Sequence, residues 1–270
     1  TNMAGIGSKK LSDIYGNLLH TGANIDATAR IVQDGAGNNA AVKISNKHLQ
    51  VAPAADSIAV FRVDDADGNQ LLAVDSTNDK VSIGLSRIAA NTQYAYFGMN
   101  SYSAVSYLAG YHYPAAFVTN VLDASGQEDN IHFGNGEDPA DTYTTADASG
   151  PATSVRADYL VGKLWYVPDN IVIDGVTSIE GASTATGDTT RFHLKSYTFA
   201  SGATNCLTAG ELVAYSPQQV NAGNEQPYKN TWTIESGGAV TSGKVVLVFF
   251  ENDGTNSDYT TSIIVKYHIN

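Results

Sequence analysis

The sequence predicts an all-β chain: an extended N-terminal segment, a short β-meander stem and a C-terminal β-sandwich, jelly-roll-like head. Three observations point there. Charged residues make up only 16% of the chain, well under the usual quarter. Glycine (25) and tyrosine (15) are abundant, while Glu and Lys, the common formers of surface helices, are scarce beside Thr, Ser, Asn and Val. Short apolar runs alternate with Gly/Asn/Asp clusters at a spacing of about ten residues, the rhythm of strands and tight turns.

Composition also excludes function classes. The net charge is −12 and the sequence pI about 4.7, and no Lys/Arg cluster exists to follow a phosphate backbone, so nucleic-acid binding is not expected. One cysteine, Cys206, leaves no disulfide framework and no CxxC metal motif. No run approaches the roughly 18 consecutive apolar residues that span a bilayer. The first residues, Thr1 to Gly7, hold no apolar signal core, which fits assembly inside a host cell.

Residues 1–50 read as a distinct opening segment. Ile14, Leu18 and Leu19 are spaced as one helical turn between Gly16 and Gly22, followed by extended chain at Ile31-Val32 and Val42-Lys43-Ile44. Asp34-Gly35-Ala36-Gly37-Asn38-Asn39 between them is a turn cluster. So few apolar residues cannot make a core alone, and the segment needs a partner. Residues 51–90 read as a meander with strands at Ile58–Val63, Leu71–Val74 and Val81–Ile83, joined by Asp64–Asn69 and Asp75–Asp79. Gly and Asn/Asp supply the positive φ that such turns require. One copy of this layer exposes an apolar face; three copies around an axis would bury it.

Residues 91–155 read as a connecting region, first tyrosine-rich and then acidic. Tyr94 and Tyr96 alternate as on a strand, whereas Tyr107 and Tyr111 also suit a helical face. From Asp123 to Asp147 no Lys or Arg occurs, and Gly126, Gly134, Gly136, Pro139, Gly150 and Pro151 mark a loop excursion. Residues 156–270 carry seven candidate strands: Lys163–Val167, Ile171–Ile179, Arg191–Phe199, Glu211–Tyr215, Asn230–Ile234, Lys244–Glu251 and Thr260–His268. Turns and no helix signal separate them, as in a sandwich or jelly roll. Val245–Phe250 is apolar throughout, as expected of a strand covered on both faces, and Trp165 and Trp232 are expected in the core.

No catalytic, cofactor or metal site is read from the residues. Gly238-Ala-Val-Thr-Ser-Gly243-Lys244 spells a phosphate loop up to its lysine, but Val245 stands where Ser or Thr must follow, and a strand comes next instead of a helix. Asp65-Ala-Asp67-Gly68-Asn69 is no EF-hand, because Val63 and Val74 occupy its first and twelfth positions; hairpin turns use the same residues. The acidic stretch 121–150 offers oxygen ligands or paired carboxylates, against the plainer reading of a solvated loop. The six histidines (20, 48, 112, 132, 193 and 268) form no HExxH and no close pair, and no Gly-x-Ser-x-Gly elbow occurs. Tyr94, Tyr96, Tyr102, Tyr107, Tyr111 and Tyr113 are candidates for an inter-subunit or core surface, or for stacking on sugars.

Two segments carry a resemblance. Ser12-Asp13-Ile14-Tyr15-Gly16-Asn17-Leu18-Leu19-His20, continuing to Ile31–Asn38, resembles the opening of structural proteins from tailed bacteriophages, especially marine short-tailed ones. Gly68–Gly84 is similar to β segments that recur in phage fibre stems; their usual Val-Gly-Ile-Gly ending has Ser82 in place of the first glycine here. Residues 160–270 are loosely similar to the C-terminal domain of such virion proteins. The resemblance implies a homotrimeric appendage or capsid-decoration protein on the virion surface. Residues 1–50 would dock on capsid, portal or tail proteins, 51–90 would form an intertwined stem, and 156–270 a distal head that in some cases contacts host glycans. About forty residues of stem, rising roughly 3.3 Å each in strands that fold back, make a short peg.

Overall fold

The computed structural model describes residues 19–84, 88–100, 109–117, 131–143, 160–183, 186–222, 226–253 and 258–270. Among them the chain is all-β, every strand pair is antiparallel, and no helix is long and apolar enough to cross a membrane. Two units divide at residue 90. The helical turn expected around Ile14 and Leu18 lies outside the described residues.

The first unit holds two four-stranded meanders. One runs β1 (His20–Thr21), β2 (Arg30–Gln33), β3 (Asn39–Ile44) and β4 (Leu49–Val51); the other runs β5 (Phe61–Asp64), β6 (Gln70–Asp75), β7 (Lys80–Ile83) and β8 (Ile88–Ala89). The strand expected from Ile58 begins only at Phe61. Ser57 and Ser76 explain the delay: the Ser76 N–H donates to the Ser57 carbonyl and the Ser76 hydroxyl accepts the Ser57 N–H, which folds residues 57–60 into a turn.

The two meanders share their turn chemistry. Between β2 and β3 the Asp34 carboxylate accepts the N–H groups of Ala36 and Asn38 and the side-chain amide of Asn38, at 2.8–2.9 Å. Between β5 and β6 the Asp65 carboxylate accepts from Asp67, Asn69 and the Asn69 amide, at 2.8–3.0 Å. Gly37 (φ +87°) and Gly68 (φ +80°) take the left-handed step in each. The next turns correspond too: Ser45 Oγ accepts from the Lys47 and His48 N–H groups, as Asp75 Oδ1 does from Thr77 and Asn78. Residues 30–51 and 61–83 are therefore two copies of one three-stranded unit, and position 50, where a boundary was expected, lies within β4 at the end of the first copy.

The second unit is built from two sheets. Its strands are β9 (Thr92–Asn100), β10 (Tyr113–Pro114), β11 (Ala116–Phe117), β12 (Trp165–Tyr166), β13 (Ile171–Ser183), β14 (Thr189–Phe199), β15 (Leu207–Tyr215), β16 (Gln219–Val220), β17 (Tyr228–Thr231), β18 (Thr233–Ile234), β19 (Ala239–Val240), β20 (Lys244–Asn252) and β21 (Asp258–Ile269). One sheet runs β10-β20-β14-β15-β18, with β12 also on β20 and β16 on β14; the other runs β11-β9-β21-β13-β17, with β19 on β13. Six of the seven strands expected between residues 163 and 268 are present as single strands, whereas Asn230–Ile234 divides at Trp232 into β17 and β18, which join different sheets. The pairing is nested: β9 with β21, β10 with β20, β13 with β17, and β14 with β15.

Strand alternation builds the core between these sheets. Phe192 and Leu194 of β14 and Val246, Val248 and Phe250 of β20 meet Ala95, Phe97, Val176, Ile263 and Val265 of the other sheet, with Trp165 and Trp232 buried among them. The intervening residues of β20, Val245, Leu247 and Phe249, face the opposite way into a second cluster with Tyr197, Ile131, Phe133 and Tyr143. Both faces of β20 are thus covered, which accounts for its unbroken apolar run.

The second cluster corrects the reading of residues 91–155 as a connection. β9, β10 and β11 are members of the two sheets, and residues 131–143 lie over the outer face of β20 and β14. The acidic residues of that segment hid the apolar ones, Ile131, Phe133 and Tyr143, that carry it inward. Lys195 on β14 fastens it, donating to the Pro139 carbonyl and, at 2.6 Å, to Asp141.

Candidate functional site

In the first unit the notable surface is one face of β5–β7. Cross-strand partners share a face, and the register aligns Phe61 with Val74 and Val81, and Val63 with Leu72 and Ile83. The opposite face carries Arg62, Ala73 and Ser82 on one row. Six apolar side chains thus share one side, yet Phe61 remains 42% exposed, Val81 39% and Ile83 53%, while the buried residues of this sheet are Ala73, Asp75 and Ser82. The preceding copy repeats the pattern: Val42 aligns with Val51 and Ile44 with Leu49, and Leu49 is 67% exposed. Apolar rows of this size on a folded sheet mark a surface for association.

The Asp65 and Asp75 carboxylates serve their turns, as the hairpin reading expects. The oxygens of Asp65 and Asp75 accept turn N–H groups and the side-chain amides of Asn69 and Asn78. These bonds, led by the Asn amides, hold both carboxyls below the usual range. Gly238–Lys244 runs from a 3-10 turn (Ser236–Gly238) through β19 and a turn at 242–243 into β20, with the Lys244 ammonium on Glu211 and no helix following the lysine.

The tyrosines separate. Tyr94 and Tyr96 stand on the outer face of β9, about half exposed, beside Lys266 and Ile264 of β21, while Ala95 and Phe97 point inward. Tyr111 meets the His132 ring edge-on at 4.6 Å. Tyr113 is buried. Tyr102 and Tyr107 lie outside the described residues.

A constellation that sequence reading missed lies on the outer face of β10-β20-β14. His193 (β14) and Glu251 (β20) point away from the main core, and His112 immediately precedes β10. Their ligand atoms lie within 4.8 Å of one another. Both imidazoles are fully buried, their rings 5.0 Å apart and nearly perpendicular at 82°. His112 is pinned by residues 133–136: its N–H donates to the Gly134 carbonyl, its carbonyl accepts from Phe133, and its Nε2 lies 3.0 Å from the Gly136 carbonyl. A carbonyl only accepts, so the proton sits on Nε2 and Nδ1 is left bare. Among the described residues Nδ1 makes no hydrogen bond, and neither does either nitrogen of His193, although Asp138 Oδ1 lies 3.5 Å from His193 Nε2. Burial holds both imidazoles below their usual pKa, His193 down to about 3, with His112, Arg191 and Lys195 adding to the effect there. Burial also raises Glu251, although Arg191 opposes it. Spacing gave no clue, because the residues lie far apart in sequence and only the sheet joins them; the one visible signal was a histidine within the expected strand Arg191–Phe199.

No protein-family model matches the chain, and no curated protein matches it. The Cys206 thiol is buried, and burial raises its pKa.

Proposed function

We propose that this chain is a non-enzymatic structural subunit of a bacteriophage particle, a homotrimeric short fibre, spike or decoration protein on the virion surface. The observation that carries the reading is the uncovered apolar face of Phe61, Val63, Leu72, Val74, Val81 and Ile83. A sheet of this size cannot bury that face alone, and copies of the same chain around an axis do so with each contributing the same residues. The segment also contains the stretch that resembles phage fibre stems. Nested strand pairing in the second unit supports a jelly-roll reading of the head, an architecture of viral capsid and lectin domains.

Sedimentation of the purified full chain tests the assembly. Three times the 28.4 kDa chain mass is expected; a stable, fully folded monomer overturns it. Particles labelled with an antibody to this chain test the location, and unlabelled particles would remove the virion role.

A second reading rests on Tyr94 and Tyr96, two neighbouring exposed rings on a rigid strand. Such rings stack on sugar faces, so the head would act as a host-glycan adhesin. A glycan array separates this from pure decoration: binding that Tyr94→Ala and Tyr96→Ala abolish supports it, and binding they leave unchanged removes this site.

A further inference from the structure

We propose that His112, His193 and Glu251 hold one divalent transition-metal ion of the zinc class, which staples residues 131–143 to the outer face of the head. Three imidazole nitrogens in a fully buried place that make no hydrogen bond among the described residues are the central observation. Buried polar atoms are nearly always satisfied, and an exception of this kind calls for an ion or a water. Two neutral imidazoles and a carboxylate are the donor set that zinc takes, leaving a fourth position.

The surroundings fit a ligand site. The Gly136 carbonyl fixes the His112 tautomer through Nε2, as a backbone acceptor does behind a metal-bound histidine, and leaves Nδ1 as donor. His112 Nδ1 lies 4.0 Å from Glu251 Oε2. Bonds of about 2.0–2.2 Å put tetrahedral donors about 3.3–3.5 Å apart, so closing the triad asks for a shift of about 1 Å. Glu251 can supply it, since its side chain is one-quarter exposed. Asp138 Oδ1, 3.5 Å from His193 Nε2, adds negative charge beside the site.

Two cations oppose a metal here: Lys195, which is engaged by Asp141 and the Pro139 carbonyl, and Arg191, which lies over the Tyr215 ring and across the strand pair from Glu251. Glu251 also lines a polar cleft of about 250 Å³ with Glu137, Thr189, Arg191 and Asp253, which opens a route from solvent. The ion would cross-link β14, β20 and the residue before β10, and through His112 the segment that pins it, in a chain whose single cysteine forbids an internal disulfide.

The test uses the full-length protein stripped with chelator and titrated with Zn²⁺ by calorimetry, with bound metal counted after dialysis. One zinc per chain is expected, with a raised thermal midpoint, and Co²⁺ in its place should give the visible absorption of a four-coordinate nitrogen–oxygen site. His112→Gln and Glu251→Gln should each weaken binding by at least about tenfold. His268→Gln, which removes a half-buried histidine lying 3.0 Å from Asp174 in the other sheet, should leave it unchanged. No zinc in the wild-type protein overturns the proposal, whether or not the variants fold. So does zinc that is lost with His268→Gln, or retained in full by Glu251→Gln.

Discussion

Thr190 donates its hydroxyl to Glu180 at 2.5 Å, joining β14 of one sheet to β13 of the other in a buried setting. Asn230 donates to the second carboxylate oxygen at 2.9 Å. Burial nevertheless raises the Glu180 pKa above its usual value, and the two hydrogen bonds only reduce that rise. A carboxyl whose folded pKa is raised contributes stability that is complete below its unfolded value of 4.5, and that stability is lost as pH climbs through the folded value. At neutral pH the buried charge is therefore a cost. Glu180→Gln keeps an acceptor for Asn230 and removes that charge. It should raise the melting temperature at pH 7 and lose its advantage below about pH 4, as read by calorimetry across that range.

Gly210 on β15 sits where no side chain fits. A Cβ there would stand 2.7 Å from Tyr197 Cε1 and 2.8 Å from Asp141 Cα, and the Gly210 N–H donates to the Asp141 carbonyl. Gly210→Ala pushes residues 139–141 off the sheet and strains the Lys195 anchor. A loss of about 1–3 kcal/mol is expected in urea denaturation. Hydrogen exchange should increase first at Ala140 and Tyr143, whose N–H groups bond to Phe133 and Leu207.

How far the fold was legible depends on which residues carry it. Val245–Phe250 announced a strand covered on both faces because unbroken apolarity admits few other readings. Tyr94–Phe97 alternated openly, and its place in the second sheet required only that Ala95 and Phe97 be taken as the inward pair. Residues 131–143 were illegible because three apolar anchors are scattered among carboxylates and glycines, and backbone pairing to His112 holds them as much as packing does. The repeat of the first unit was written in the Asp-x-x-Gly-Asn spacing at Asp34 and Asp65, but the copies differ in their apolar residues, so hydrophobic pattern alone concealed it. The His112–His193–Glu251 group has no local spacing at all, and only strand order assembles it.

The paired turns make a prediction about acid. Asn38 and Asn69, ahead of the backbone donors, hold the carboxyls of Asp34 and Asp65 below their usual pKa. A depressed carboxyl contributes stability that is present above its unfolded value of 3.8 and is lost as pH falls through the folded value. Both hairpins should loosen in that acid window. Asp65→Ala should bring the loosening to neutral pH, seen as faster hydrogen exchange at Asp67 and Asn69 with no change at Ala36 and Asn38. Asp34→Ala should give the mirror result, since the two turns are separate copies.

Val81 places the assembly itself under test. It lies in the row with Val74 and Phe61 and is partly exposed in a single chain, so a charge there is tolerable in a monomer. In a trimer that buries the row, Val81→Asp sets one unpaired carboxylate from each copy near the axis. The cost is about 2 kcal/mol or more per copy, from desolvation alone. The sedimenting mass should fall from three chains to one, or associate only at much higher concentration. Trp165 and Trp232, the only tryptophans of the chain, are both buried in the core of the second unit, so their near-ultraviolet circular dichroism reports whether that unit stays folded. Arg62→Ala, on the opposite face, should leave the mass unchanged. Trimer mass retained by Val81→Asp would place the subunit contact on another surface, and loss of the tryptophan signal would mean that unfolding, rather than dissociation, had been measured.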